Sequence, residues 1–191
     1  MKIALGADHG GYALKRMFHV HLKQQGYSVL NCGTSSPAQT DYPDHAEKVA
    51  LAVAQGRAQR GIMICGSGVG ACIAANKVPG ARAAVCHDTF SARQGVEDDD
   101  MNVLCLGARV IGPQLALEIL NAWIRARFSK AERHRRRLGK VLALEAKFSL
   151  RNGAPANVRV IPTIPTGKLT LGSHLGRIRR RVRSLRPSKK L

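Results

Sequence analysis

Cys65 ends a short apolar run, Ile62-Met-Ile-Cys65, and is followed at once by Gly66-Ser67-Gly68-Val69-Gly70. A thiol placed just before a glycine-rich turn that opens a helix lies near the helix's positive end, which favours the thiolate. A thiolate there can serve as a nucleophile or as a base. Amides freed by the glycines of such a turn suit an anion. The turn has neither the lysine of a nucleoside-triphosphate loop nor the GxGxxG spacing of a dinucleotide site. Alone, it reads equally as a tight strand–helix junction. Asp8 and His9 stand side by side after another apolar run. That pair can share a proton relay, or the carboxylate can simply cap a helix. Arg133 and Arg137 are four apart, hence on one face of a helix, and two guanidiniums so placed can clamp a phosphate. Lys130, Arg135 and Arg136 fall on other faces and read as solvated charge. Asp98, Asp99 and Asp100 cannot all face one ion from regular structure, so a helix-end turn is the simpler reading of that run.

These residues need elements to hold them, and the apolar pattern supplies a regular series. Strands are expected at 2–7, 27–31, 62–65, 82–86 and 103–106. Helices are expected at 11–25, 44–55, 69–77, 89–96, 113–127 and about 131–148. The strands are nearly continuous apolar runs, the pattern of parallel strands buried on both faces. Gly26 is placed to end the first helix in a left-handed conformation, and Asp44 to cap the second. The expected architecture is α/β, a three-layer α/β/α sandwich on a five-stranded parallel, Rossmann-like sheet, followed by a C-terminal helix and a basic tail. Ligands of such sheets bind at the carboxyl ends of the strands. There stand Asp8 and His9, then Thr40 to Pro43 in a longer loop, then Cys65 to Gly70, then His87 and Asp88, then Gly107 to Arg109. Polar and reactive groups on one edge point to an enzyme rather than a scaffold.

The chain has 191 residues and a formal net charge of +19. The charge is uneven. Residues 149–191 hold 11 of the 31 Lys and Arg and none of the 12 Asp and Glu. That segment carries Pro155, Pro162 and Pro165 and no long apolar period, so it is expected to be a disordered basic tail, separate from a domain at 1–148. A tail of this kind is either plain solvated charge or a weak nucleic-acid contact. No run reaches the length of a membrane span, and the first residues lack the form of a signal peptide. Cys32, Cys65, Cys72, Cys86 and Cys105 are odd in number and have no zinc-ligand spacing, so a cytoplasmic chain with free thiols and no metal is expected. Cys72, Cys86 and Cys105 read as small buried apolar residues.

Together, GADHGG at 6–11, TDYPD at 40–44, ICGSGVGACIAANK at 64–77, NVLCLGARVIG at 102–112 and RHRRR at 133–137 make the chain resemble the ribose-5-phosphate isomerase B family. That family lies within a wider sugar-phosphate isomerase group that includes the galactose-6-phosphate isomerase subunits. The resemblance spans about residues 1–147. It implies interconversion of ribose 5-phosphate and ribulose 5-phosphate through a cis-enediolate, without metal or organic cofactor. The alternatives are another sugar phosphate of allose 6-phosphate or galactose 6-phosphate type, or a nucleic-acid-binding protein acting through its tail. The resemblance implies Cys65 as the base at C2. Some family members use instead a Glu on the following helix, where this chain has Ala71. It implies Ser67 for the proton on the sugar oxygens and the amides of Gly66, Gly68, Val69 and Gly70 around the enediolate charge. Asp8, Tyr42, Asp99 and Arg109 would bind the sugar, and His9, Arg133 and Arg137 the phosphate. It further implies a homodimer or homotetramer with sites shared between subunits, and strand order 2-1-3-5-4. The family's usual His-Asn pair, whose His opens the furanose ring, is replaced here by Asp98 and Asp99. Asp98 is then the first candidate for ring opening, with His87 second.

Overall fold

The computed structural model describes residues 1–149. Five strands form one parallel sheet: β1 (Lys2–Ala7), β2 (Ser28–Asn31), β3 (Arg60–Cys65), β4 (Ala83–Val85) and β5 (Val103–Gly107). Their order is β2-β1-β3-β5-β4, as the family resemblance implied. The register sets Ala7 beside Ile64 and Cys65 beside Gly107, so the carboxyl ends of the three central strands finish level.

The two faces of the sheet differ in side-chain size. Ile3, Leu5, Ile62, Ile64, Leu104 and Leu106 pack under α1 (Tyr12–Gln24), α4 (Thr89–Asp99) and α5 (Pro113–Arg125), against Phe18, Leu22, Ile119, Leu120 and Trp123. The alternate residues Ala4, Met63, Cys65, Val103 and Cys105 face α2 (Tyr42–Ala54) and α3 (Val69–Ala75), which present mostly alanine and Val49. Strand side chains point to opposite faces in turn, so this division follows directly from strand sequence. Cys65 therefore belongs to the small-residue face, where α2 and α3 approach closely. Arg60 anchors the far end of the sheet: its guanidinium donates to the carbonyls of Trp123 and Ala126 and lies over the Trp123 ring, 5.1 Å from the centroid.

Helices α3 and α5 each stop two residues short of the expected 77 and 127, and two further helix ends depart from expectation for a local reason. Asp41, not Asp44, occupies the cap position of α2. It makes no side-chain cap hydrogen bond, while Asp44 lies in the first turn. Pro43 explains the earlier start, since proline fits the first helical turn, where its missing N–H costs nothing. Helix α4 continues to Asp99, three residues beyond expectation, and Asp100 ends it at φ 51° and ψ 41°. Asp100 holds that left-handed conformation through Arg82, which donates to its carbonyl at 2.8 Å and to its carboxylate at 2.5 Å. The acidic run is thus a helix end. Gly26 has φ +79° behind α1, as expected. The last helix, α6 (Glu132–Ser149), packs on α4. Apart from Ser149, the expected basic tail at 149–191 lies outside the described residues. Among the described residues no helix is long and apolar enough to cross a membrane.

Candidate active site

In the order β2-β1-β3, the chain leaves β1 to one side and β3 to the other. This switch point opens a crevice at the strand ends. Asp8 follows β1 and Cys65 ends β3, so 57 residues of sequence separation collapse to neighbouring positions. Two glycines let the backbones meet there. A side chain on Gly11 would run into the Ile64 carbonyl at 2.5 Å, and one on Gly10 would press on the Gly66 amide at 3.3 Å. Asp8 is buried and caps the short 3-10 turn His9–Gly11, accepting from the Gly11 amide through Oδ1 at 3.1 Å. The capping reading of Asp8 is therefore correct for one oxygen. Oδ2 makes no other hydrogen bond among the described residues.

Cys65 is 4% exposed, and its Sγ accepts from the Gly68 amide at 3.1 Å. That contact exists because Gly68 turns at φ +83°, folding the loop back over the sulfur. The Gly66 and Ser67 amides have no hydrogen-bond partner among the described residues. Ser67 is exposed, and its Oγ accepts from the Val69 amide at 3.3 Å. Helix α3 is only seven residues long, so anion-binding capacity here rests on the loop amides rather than on a long helix dipole.

A cavity of about 320 Å³ is lined by Asp8, Tyr42, Cys65, Gly66, Ser67, Gly70, Arg109 and Val110. Tyr42 reaches it from the start of α2 and lies against Gly70; any Cβ there would sit 2.7 Å from the ring. Arg109 arrives from the turn after β5. Its amide donates to the Gly66 carbonyl at 3.0 Å and its side chain runs alongside Gly66. His9 stands at the rim with Nδ1 3.3 Å from the Thr40 amide and 3.2 Å from the Thr40 carbonyl. Nδ1 can accept from that amide, with the ring proton on Nε2, or donate to that carbonyl, according to the tautomer.

Sequence reasoning overlooked the residues that hold this rim. His45 is buried, with Nε2 3.1 Å from Thr40 Oγ1. Lys15 is buried too, donating to the Thr34 carbonyl at 2.6 Å and to Asn31 Oδ1 at 2.8 Å. Burial lowers its pKa. A charged residue on the inner face of an amphipathic helix was the available signal for Lys15. His87 is a brace: its Nε2 accepts from the Gly107 amide at 3.1 Å at the end of β5.

The remaining expected residues lie elsewhere. Asp98, Asp99, Arg133 and Arg137 are not among the lining of the Cys65 cavity. Asp98 accepts from Gln94 through Oδ2 at 2.7 Å, and its Oδ1 lies 3.3 Å from His134 Nδ1. Asp99, Arg133 and Arg137 are exposed. The described cysteines are all free. Cys72 packs on the small-residue face, and its thiol donates to the Ala83 carbonyl at 3.3 Å. It is half-buried, and hydrogen bonding by the Cys105 thiol draws its pKa down to about 7. The same contact, with burial, raises that of Cys105, and burial pushes Cys86 up to about 11.

A thiol, a carboxylate and free loop amides around a small cavity at the switch point of a parallel sheet define an α/β enzyme for a small polar substrate. The chain belongs to the ribose/galactose isomerase family, whose pattern matches residues 3–141. It is 46% identical over 146 residues to ribose-5-phosphate isomerase B of Escherichia coli, covering 76% of this chain and 97% of that protein. It is 46% identical over 129 residues to D-erythrulose-4-phosphate isomerase of Pectobacterium atrosepticum, covering 67% of this chain and 85% of the relative. The solved ribose-5-phosphate isomerase B of Clostridium thermocellum superposes with a TM-score of 0.76 at 51% identity, over 78% of this chain and 99% of that one.

Proposed function

We propose that this protein interconverts ribose 5-phosphate and ribulose 5-phosphate, with Cys65 removing the proton at C2. The observation that carries this reading is the placement of Cys65 Sγ beneath the Gly68 amide, beside the unpartnered amides of Gly66 and Ser67. A base at C2 creates an enediolate whose charge falls on O1 and O2. Donors fixed in advance around those oxygens stabilise it without reorganisation. Ser67 Oγ is exposed at the cavity and suits proton transfer between the two oxygens. Oδ2 of Asp8 and the Tyr42 hydroxyl suit the sugar hydroxyls, Arg109 closes the side of the site, and His9 offers Nε2–H to the phosphate. The chemistry asks for no metal and no organic cofactor.

In this reading Arg133 and Arg137 bind the phosphate from a second copy of the chain. They do not line the cavity of their own chain, while Val110 in its lining and Val69 and Ile73 on α3 stand exposed as apolar surface for a partner. The active assembly is then a homodimer or homotetramer, working in the cytoplasm, with the domain ending near residue 148. The tail contributes at most a weak nucleic-acid contact.

A second reading concerns the sugar. Asp98 is the candidate for opening the furanose ring, yet its Oδ2 already accepts from Gln94 and its Oδ1 lies 3.3 Å from His134 Nδ1. That favours substrates that enter open-chain, and a four-carbon sugar phosphate of the D-erythrulose 4-phosphate kind cannot close a furanose ring. A panel of ribose 5-phosphate, D-erythrulose 4-phosphate, allose 6-phosphate and galactose 6-phosphate, assayed with wild type and Asp98→His, decides between the readings. Preference for ribose 5-phosphate in the wild type supports the first. Preference for the tetrulose phosphate, with pentose activity gained by Asp98→His, supports the second. The central assignment is tested by Cys65→Ala. It should abolish exchange of the C2 proton with solvent while substrate still binds, and retained exchange would show that another base acts.

A further inference from the structure

Between α4 and α6 lies a connected set of side chains of which the isomerase reading above gives a task only to Arg133 and Asp98. His134 is 3% exposed although it sits in a strongly basic stretch. Its Nε2 receives the Nε–H of Arg133 at 2.8 Å. An arginine nitrogen can only donate, so Nε2 is the unprotonated ring nitrogen and the imidazole proton sits on Nδ1. Nδ1 faces Ser129 Oγ at 2.7 Å and Asp98 Oδ1 at 3.3 Å. Both of these are themselves fixed. Ser129 donates its amide to the Glu97 carbonyl at 2.9 Å, and Asp98 is held by Gln94 at 2.7 Å.

The consequence falls on Arg133. Its Nε is spent on the histidine; Arg133 is exposed, and Nη1 and Nη2 make no hydrogen bond or ion pair among the described residues. The guanidinium is thus held by its inner nitrogen with its outer edge presented to solvent, the geometry suited to a tetrahedral oxyanion. An exposed arginine without such a hold would lose rotamer freedom on binding a ligand. Here that ordering is already done by folding.

We propose that His134, oriented by Asp98 and Ser129, is a positioning residue that presets Arg133 for the substrate phosphate. The proposal rests on the reading of Arg133 as a phosphate ligand. It gives Asp98 a task at the phosphate end of the substrate, through His134, instead of at the sugar ring.

The test uses the full-length protein and steady-state isomerisation of ribose 5-phosphate, with competition by inorganic phosphate. Asparagine at 134 can supply the donor in place of Nδ1–H but offers nothing to Arg133, whereas glutamine can place its carbonyl oxygen where Nε2 accepts. His134→Asn should raise KM and the phosphate inhibition constant together by about tenfold, the scale of one lost hydrogen bond to a charged group, with kcat within about twofold. His134→Gln should recover most of that loss. Arg133→Ala should raise KM at least as far, and adding His134→Asn to it should have no further effect. Should Arg133→Ala raise KM while His134→Asn leaves it unchanged, the positioning role is wrong and the phosphate reading stands. Should Arg133→Ala itself leave KM unchanged, the phosphate reading is what fails. Equal losses of kcat and of melting temperature in both His134 variants would make the residue merely structural and overturn the proposal.

Discussion

Gly68 carries the geometry of the site on one backbone angle. At φ +83° it directs its amide to Cys65 Sγ, and its Cα faces the Leu106 carbonyl carbon so closely that a Cβ would lie 3.0 Å away. Gly68→Ala therefore combines a strained φ with a backbone contact. It should cost about 1–3 kcal/mol in urea unfolding and reduce kcat through the displaced amide. Gly70→Ala tests a different contact. The Tyr42 ring occupies the space of the missing Cβ at 2.7 Å, so the variant should move the ring and change KM with little loss of stability. Cys72 offers a pH-dependent readout. With a pKa near 7, its thiolate fraction climbs as pH rises through neutrality, while Cys86 and Cys105 stay protonated. Peptide mapping after iodoacetamide should show Cys72 alkylated ahead of Cys86 and Cys105, with a rate that increases steeply from pH 6 to pH 8, about one unit either side of that value. A flat rate across that range would remove the Cys105 hydrogen bond as its cause.

At the scale of elements, short side chains close the ends that the helices and strands leave open. Among the described residues the outer edge of β4 has no strand partner, and Asn76 takes that place. Its Oδ1 accepts from the Ala83 amide at 2.9 Å, and its Nδ2 donates to the Ala83 carbonyl at 2.8 Å. One amide side chain thus copies the pairing of a neighbouring strand and blocks the edge. Asn76→Ala should cost about 0.5–1.5 kcal/mol by urea unfolding followed through Trp123 fluorescence, since the Ala83 amide loses its partner while the Ala83 carbonyl keeps the Cys72 thiol. On the opposite edge, Lys15 ties α1 to Asn31 and Thr34 and so fixes the start of the loop that carries Thr40 and Tyr42. The C-terminal end of α4 works likewise: Asp98 turns toward α6, and Asp100 locks to Arg82. These two carboxylates do separate jobs because Asp98 lies within the helix and Asp100 ends it in a left-handed conformation.

For the whole molecule, charge and function separate along the chain. The excess of +11 carried by residues 149–191 lies beyond the family match, which ends at residue 141. Ending the chain after Ser149 should leave kcat and KM unchanged. The same truncation should abolish any salt-dependent binding to nucleic acid; binding that survives with the same salt slope would locate it on the enzyme domain. The shared-site reading also belongs to this scale. Cys65→Ala, inactive alone, and Arg137→Ala, impaired in KM, should regain sites of native KM when unfolded together and refolded as mixed assemblies, because one mixed site then contains both native residues. No recovery in assemblies shown to be mixed would place all the machinery in one chain.

The elements themselves were legible from local pattern. Continuous apolar runs marked five buried strands, glycine at position 26 marked a helix end, and residues just past each strand marked the site's edge. Element ends shifted where a local exception ruled: Pro43 started α2 early, and Asp100, in a left-handed conformation held by Arg82, ended α4 late. What periodicity could not supply was adjacency between distant segments. Strand order places Asp8 against the Cys65 loop, separates the Cys65 cavity from Arg133, and sets Cys72 on α3 against Cys105 on β5. Packing of α6 on α4 buries His134 between Asp98 and Arg133. Periodicity reports which face of an element is apolar. Which partner meets that face, and so which polar groups must satisfy one another there, is decided only when the elements pack.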